Sequence, residues 1–262
     1  MTVEVSLLIA TYNWKEALRL SLLSAFAQTV LPKEILVADD GSENDTRLLI
    51  EEMRKISPIP IIHIWHEDKG FRLSAIRNKA IVHATGEYVI QIDGDIIMNR
   101  HFIKDHLELA ERGYFVCGSR ILLSLEESAI LLNGQKDLAK ASRLVLNGIR
   151  CRLLRYYLAK RYAQNNNTRL RGCNMAFWRN DLIAINGYNE AFNSWGFEDW
   201  ELVSRLLKLG VRKKFLKMGG IAFHLYHKEA CRIGLEKQKE LFMKSAERCD
   251  SRILDGLDKY MR

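Results

Sequence analysis

The stretch Glu87-Tyr88-Val89-Ile90-Gln91-Ile92-Asp93-Gly94-Asp95 decides how this chain folds. An apolar run of strand length stops at two acids separated by a glycine. A buried strand that ends this way presents oxygen ligands at the carboxyl edge of a sheet, where open α/β folds bind their ligands. That edge suits a hard divalent cation and a diphosphate. The tripeptide alone fits an ordinary surface turn equally well, so its meaning depends on the segments around it.

Upstream, residues 3–10 form an aliphatic, β-branched run. The polar turn Thr11-Tyr12-Asn13 then leads into an amphipathic segment over 14–28, which reads as strand then helix. The pattern recurs. Residues 34–38 run into Asp39-Asp40-Gly41-Ser42 and a helix to about Lys55; 61–65 reads as a strand, 73–84 as a helix and 88–92 as a fourth strand. Strands alternating with helices predict an α/β fold with a mainly parallel central sheet flanked by helices and right-handed crossovers. The strand ends at Thr11-Tyr12-Asn13, Asp39-Asp40 and Asp93-Gly94-Asp95 then converge on one edge. Neither G-x-G-x-x-G after the first strand nor G-x-x-x-x-G-K-[ST] is present. Phosphate must be held another way, and a cation carried by Asp95 is the candidate.

With 262 residues, 48% hydrophobic content and 3 prolines, the chain can bury a core as one large domain or two closely joined halves. No apolar stretch approaches the roughly 20 residues of a membrane-spanning helix. The N-terminal residues run straight into a strand without a signal-peptide pattern, so the expected location is cytoplasmic. The 5 cysteines (Cys117, Cys151, Cys173, Cys231, Cys249) are scattered and never paired as C-x-x-C, which argues against a disulfide framework and a zinc site. The formal net charge of +8 favours anionic partners, among them nucleotides, phosphorylated lipids and membrane faces.

Beyond Asn99 the pattern is less regular. Residues 125–164 read as helical and basic, with Arg143, Arg150, Arg152, Arg155, Lys160 and Arg161 interleaved with Leu153, Leu154, Tyr156, Tyr157 and Leu158. Such a segment is either a surface that meets an anionic membrane or lipid-linked substrate, or a solvated helix with one buried face. A loop at 165–168 precedes a strand entered from the basic turn around Arg169. Residues 234–261 read as a charged helical appendage.

Trp195-Gly196-Phe197-Glu198-Asp199-Trp200-Glu201 opens a helix whose apolar face is Leu202, Leu206, Leu207 and Leu209. Acids in a first helical turn are stabilised by the dipole and by free N–H groups. Alternatively, Glu198 and Asp199 lie under Trp195 and Phe197 in a partly desolvated cleft, where a carboxylate can take a proton from a hydroxyl. His224 and His227, three apart beside the apolar run 221–223, can offer imidazole to a metal held by Asp95. A mixed oxygen and nitrogen site fits Mn²⁺ better than Ca²⁺.

The ordered set Ala10-Thr11-Tyr12-Asn13, Ala38-Asp39-Asp40-Gly41-Ser42, Ile76-Arg77-Asn78-Lys79-Ala80, Gly86-Glu87-Tyr88, Asp93-Gly94-Asp95, Gly172-Cys173-Asn174-Met175-Ala176 and Trp195-Gly196-Phe197-Glu198-Asp199 resembles family 2 glycosyltransferases. The later blocks resemble the galactosyltransferase and chondroitin-polymerase branch. The resemblance covers roughly residues 3–229 and implies a GT-A, Rossmann-like fold with a helical C-terminal extension. It implies a nucleotide-sugar-binding half over 1–98, an acceptor-binding and catalytic half over 99–229 and a helical tail over 230–262. Thr11, Tyr12, Asn13 and Asp40 match the nucleotide-holding blocks, Arg77 an arginine near the donor, Asp93 the first acid and Asp95 the metal ligand. Asp199 matches the catalytic base and Glu198 its acidic neighbour near the acceptor. Gly172, Asn174, Trp195 and Gly196 match the donor and acceptor pocket, and His224 or His227 the metal-binding histidine. Trp200 stands where the family motif often has a further acid.

The implied activity is inverting, metal-dependent transfer of a hexose or N-acetylhexosamine from a UDP-sugar, with Mn²⁺ first and Mg²⁺ second. The expected acceptor is a hydroxyl of a saccharide or lipid-linked glycan, in surface polysaccharide assembly at the inner face of the membrane. Nucleic acid is not an expected partner. The alternatives are a nucleotidyltransferase, or a non-catalytic carbohydrate- or nucleic-acid-binding module.

Overall fold

A computed structural model describes residues 3–134, 149–163, 170–228 and 234–261. The first hundred residues follow the predicted alternation: β1 (Val5–Thr11), α1 (Lys15–Phe26), β2 (Glu34–Asp39), α2 (Asn44–Ile56), β3 (Ile61–Trp65), α3 (Leu73–His83) and β4 (Tyr88–Asp93). β1 and β2 are buried along their whole length. A strand covered on both faces reads as a continuous apolar run, which is why these strands are visible in the sequence. Next come β5 (Ile96–Met98), α4 (Phe102–Leu107), β6 (Tyr114–Gly118), β7 (Ile121–Leu122) and α5 (Leu125–Leu132). The remainder is α6 (Arg152–Ala163), β8 (Asn174–Trp178), α7 (Arg179–Ala184), α8 (Glu198–Lys208), β9 (Arg212–Leu216), β10 (Ala222–His224), α9 (Leu235–Glu247) and a 3₁₀ turn at Leu257–Tyr260.

Seven strands form one sheet in the order β3-β2-β1-β4-β8-β6-β9. All run parallel except β8, which is antiparallel to β4 and β6. In register, Ala10 faces both Ala38 and Asp93, and Thr11 faces Asp39. The three polar strand ends therefore lie side by side at the carboxyl edge. Alternate side chains feed two cores: Leu7, Ile9 and Val37 pack with Leu18, Leu22 and Ile50 on one face. On the other, Leu8, Leu36 and Val89 pack with Ile76, Ile81, Leu202 and Leu206. A second sheet, β5-β10-β7, sits at the carboxyl edge.

Several expectations need adjustment. Of the helical stretch read over 125–164, α5 and α6 are helical, while 135–148 and Gln164 lie outside the described residues. Leu202 and Leu206 are buried with Val203, but Leu209 is exposed at the end of α8. The inner side of α8 also carries the buried ion pair Glu201–Arg205, 2.7 Å. The C-terminal segment is helical but not a detached appendage. Phe242 of α9 stacks on Phe197, Ser245 donates to Glu201 at 2.8 Å, and Asn186 donates to the carbonyl of Ile253. The four described cysteines are free thiols. No helix among the described residues is long and apolar enough to cross a membrane.

Candidate active site

A cavity of about 870 Å³ opens at the carboxyl edge. Thr11, Tyr12, Asp40, Arg77, Asp93, Asp95, Gly172, Trp195, Gly196, Glu198, Asp199 and His227 all line it. Gly94 explains the form of the acidic pair: its N–H donates to the carbonyl of Ala10 at 2.6 Å. A Cβ there would stand 3.0 Å from Thr11 Oγ1 and 3.1 Å from that carbonyl oxygen. The close approach of β1 to β4 favours glycine between the acids.

At one end, Asp40 accepts from the Arg72 N–H at 2.9 Å and pairs with His66 Nε2 at 2.6 Å. Tyr12, exposed and planar, donates its hydroxyl to Asp68 at 2.9 Å. Asp40 thereby fixes the loop at 66–72 as a wall beside the Tyr12 ring, a slot suited to a flat base.

In the middle, Asp95 is flanked by two imidazoles. The antiparallel register of β5 and β10 sets His224 opposite Ile96, and the Leu225 N–H binds the Asp95 carbonyl. His224 Nε2 then lies 3.5 Å, and His227 Nε2 3.3 Å, from Asp95 Oδ2. His227 is oriented by its Nδ1 contact with the Lys228 carbonyl and by the edge of Trp14. The structure thus sets both histidines of the H-x-x-H spacing beside Asp95. Burial, with help from Arg120, lowers His224 to about 4, so its ring is neutral at pH 7 and free to offer a lone pair. Burial and the neighbouring Asp93 raise Asp95 to about 7. Asp95 Oδ1 is buried with no hydrogen-bond partner, a costly state that a cation would relieve. One carboxylate and two imidazoles within 4.8 Å of one another fit a divalent transition metal such as Mn²⁺.

At the far side, Arg77, 1% exposed, joins two acids from opposite ends of the chain. Its guanidinium donates to Asp93 Oδ1 at 3.0 Å and to Asp199 Oδ1 at 3.2 Å. Burial works against the guanidinium charge, and Tyr188, Asp199, Asp93 and Glu198 more than offset it. Asp199 Oδ1 also accepts from the Tyr188 hydroxyl at 2.9 Å. Phe197, at φ 70°, turns the chain so that α8 enters from beside Gly196. Glu198 accepts from the Gly196 N–H at 3.0 Å, just ahead of the helix, and lines the cavity together with Asp199. Both acids of the pair lie in the cleft with Trp195 and Phe197. Burial and the Asp199 charge raise Glu198 to about 7. Burial, with Asp93, also raises Asp199, against the pull of Arg77.

Three expected site residues do not line the cavity: His224, which stands 3.5 Å from Asp95 Oδ2, Asn13 and Asn174. Asn13 has φ 46° and uses its side-chain oxygen to accept from the Glu43 N–H at 2.9 Å, tying β1 to the start of α2. Asn174, the first residue of β8, points to the other face of the sheet. There it pairs with His106 at 2.8 Å and donates to the carbonyls of Ser119 and Gly220. Sequence reasoning missed Arg120, which lines the cavity and donates to Cys173 Sγ at 3.3 Å, as well as Tyr188 and Gln91, which support Asp199. Arg120 follows the end of β6, a signal that a search of strand ends beyond the first hundred residues would have found.

Residues 6–184 match the family described as glycosyl transferase family 2. Residues 152–228 match the N-terminal domain of galactosyltransferase. The chain is 26% identical over 251 residues to chondroitin synthase of Escherichia coli, covering 84% of this chain and 34% of that protein. It is 25% identical over 241 residues to hyaluronan synthase of Pasteurella multocida, covering 85% and 24%. It thus spans about a third or less of these relatives. Among solved structures, it matches a mannosyltransferase from Pyrobaculum calidifontis in complex with GDP-Man and Mn²⁺, with TM-score 0.61, 16% identity, and 94% and 63% of the two chains covered. S. aureus TarS 1–349 in complex with UDP-GlcNAc gives 0.61, 17%, 92% and 66%. At these identities the structural matches establish a shared fold.

Proposed function

The chain belongs to glycosyl transferase family 2, and on that premise we propose that it moves a hexose or N-acetylhexosamine from a UDP-sugar to a saccharide or lipid-linked glycan hydroxyl, with inversion. The carrying observation is one cavity lined by Asp95 and His227, which with His224 behind the wall form a metal-competent cluster, and by a carboxylate, Asp199, on a buried arginine. The names of the synthase relatives support polysaccharide assembly as the setting.

Asp95, His224 and His227 would hold the divalent cation, Mn²⁺ or Mg²⁺, which when bound supplies positive charge to the leaving diphosphate. Thr11, Tyr12 and Asp40 shape the nucleotide end, and Asp93 stands between it and Arg77. Asp199 takes the proton of the acceptor hydroxyl. The acceptor oxygen forms its bond to the anomeric carbon as the bond to the diphosphate breaks, and UDP leaves. A single displacement from the opposite face inverts the anomeric centre and needs one catalytic carboxylate, unlike a retaining glycosidase. Glu198, beside it, faces the acceptor.

Calorimetry and UDP-release assays over a panel of UDP-sugars test this reading. Binding of one donor in Mn²⁺, its loss in chelator and its loss in Asp95→Ala are expected. Pyrophosphate release from an NTP, with no UDP-sugar bound, would overturn it in favour of nucleotidyl transfer.

Gly172 gives a sharper test of the base. A Cβ at this position would overlap Asp199 Oδ2, so Gly172→Ala must push the carboxylate off its seat. A displacement near 1 Å costs roughly 10²-fold in rate. The variant should lose about that much turnover while retaining Mn²⁺-dependent UDP binding, measured by steady-state transfer and calorimetry.

A further inference from the structure

Helix α6 is amphipathic in reverse. Its inner side carries Arg155 and Ala159, 0% and 1% exposed; its outer side carries Leu153 at 84%, Tyr157 at 60%, Leu154 and Tyr156. Leu153, Tyr157 and Arg161 are spaced four apart and so stack along one face. Ion pairs anchor the helix: Arg155 reaches Asp105 at 2.7 Å and Glu108 at 2.5 Å, and the preceding Arg150 reaches Asp105 at 2.8 Å. Arg155 also donates Nε to the Met218 carbonyl. The apolar residues contribute nothing to that anchorage and face outward as a patch of leucine and tyrosine. Contiguous exposed apolar surface of this kind marks an interaction site.

Charge selects the occupant. No acidic residue occurs between Asp137 and Asp181; Arg150 and Arg155 are taken up by Asp105 and Glu108, which leaves Arg152 and Arg161 as the outward charges of α6. Arg161 lies beside the Tyr157 hydroxyl at 3.4 Å, and the Arg152 side chain is 70% exposed. Leucine beneath, tyrosine at the polar boundary and arginine reaching headgroups is the chemistry of an interfacial helix.

We propose that the Leu153–Tyr157–Arg161 face of α6 docks on an anionic lipid bilayer. Each basic side chain near such a surface adds attraction that salt screens. Six residues separate Ala163, the end of α6, from Leu170 in the cavity wall. Covalent reach limits that separation to about 25 Å. Docking would therefore bring the cavity close to acceptors carried in the bilayer. That use rests on the proposed transferase reading, whereas docking itself does not.

Co-sedimentation of the full chain with vesicles tests it, comparing phosphatidylcholine alone with mixtures in which about one lipid in three is phosphatidylglycerol. Partition about tenfold stronger into the anionic vesicles, weakening with added salt, is expected. The double variant Leu153→Glu, Tyr157→Glu should lose it while keeping wild-type circular dichroism and UDP binding. Leu48→Glu, at an exposed leucine on α2, and Asp199→Asn should both partition as the parent does, which separates docking from catalysis. Equal partition into both vesicles, or pelleting of the double variant like wild type, would overturn the proposal. So would a dimer in sedimentation velocity that the double variant abolishes, without vesicle binding.

Discussion

Asp199→Asn is expected to lower sugar transfer by about 10²–10⁴-fold, the range a positioned general base contributes, while leaving Mn²⁺-dependent UDP binding unchanged. The amide retains an oxygen to accept from Tyr188 and Arg77, so geometry survives and only proton acceptance is lost. The parent should show the corresponding pH dependence. Burial raises both carboxyls of the pair, Glu198 to about 7. Protonation therefore removes the base at a higher pH than for an ordinary carboxyl, and kcat should decline on the acid side. Stability runs the other way. Carboxyls raised above their ordinary values near ~4 impose no cost at low pH, and a growing one as pH climbs through the raised values. Thermal melts of the parent should fall between about pH 5 and pH 8, and Asp199→Asn should show a smaller fall. Normal turnover in the variant would remove Asp199 as the base.

Arg77→Met should cost at most about 3–5 kcal/mol of stability, because it strips the shared cation from the buried Asp199 and from Asp93, whose 36% side-chain exposure lets water offset part of the loss. Asp93, Asp199 and Glu198 all bear on that guanidinium. The loss should shrink on acidification, since protonating the acids removes their repulsion. Urea titrations at neutral and acidic pH measure this directly, with an unchanged m-value excluding a shift in the unfolded ensemble. Arg77→Lys keeps the charge but not a fork that spans two acids, so it should recover only part of the stability. Equal stability of Arg77→Met and the parent at neutral pH would show that the bridge contributes nothing.

Legibility of the sequence followed burial. β1, β2 and β4 lie between helices on both faces and read as unbroken apolar runs, and their acids stand at the ends because only the edge meets water. The direction of β8 was not legible, since a short buried strand carries the same pattern whichever way it runs. β5, β7 and β10 are two or three residues long, too short for any period, yet they set His224 and His227 against Asp95. Gln91 was read as part of an apolar run. Tyr188 reaches Asp199 only because Asn186 and Gly187 turn the chain with positive φ. Asn174 shows the limit of reading a motif as a block: it begins β8 facing the sheet's other side, away from Gly172 and Cys173, which line the cavity.

The reversed strand β8 has a bearing on cooperativity. Among the described residues, it is the sole strand linking the block β3-β2-β1-β4 to the pair β6-β9 in the seven-stranded sheet. A chain that had formed only the first block would possess Asp93 and Asp95 but would lack Gly172, Asp199, His224 and His227. No half-assembled form can then present the complete cavity. The metal cluster is confined to the fully assembled state, so nucleotide bound together with Mn²⁺ should raise the global unfolding free energy as a single mass-action term, protecting the earliest and latest strands of the sheet alike.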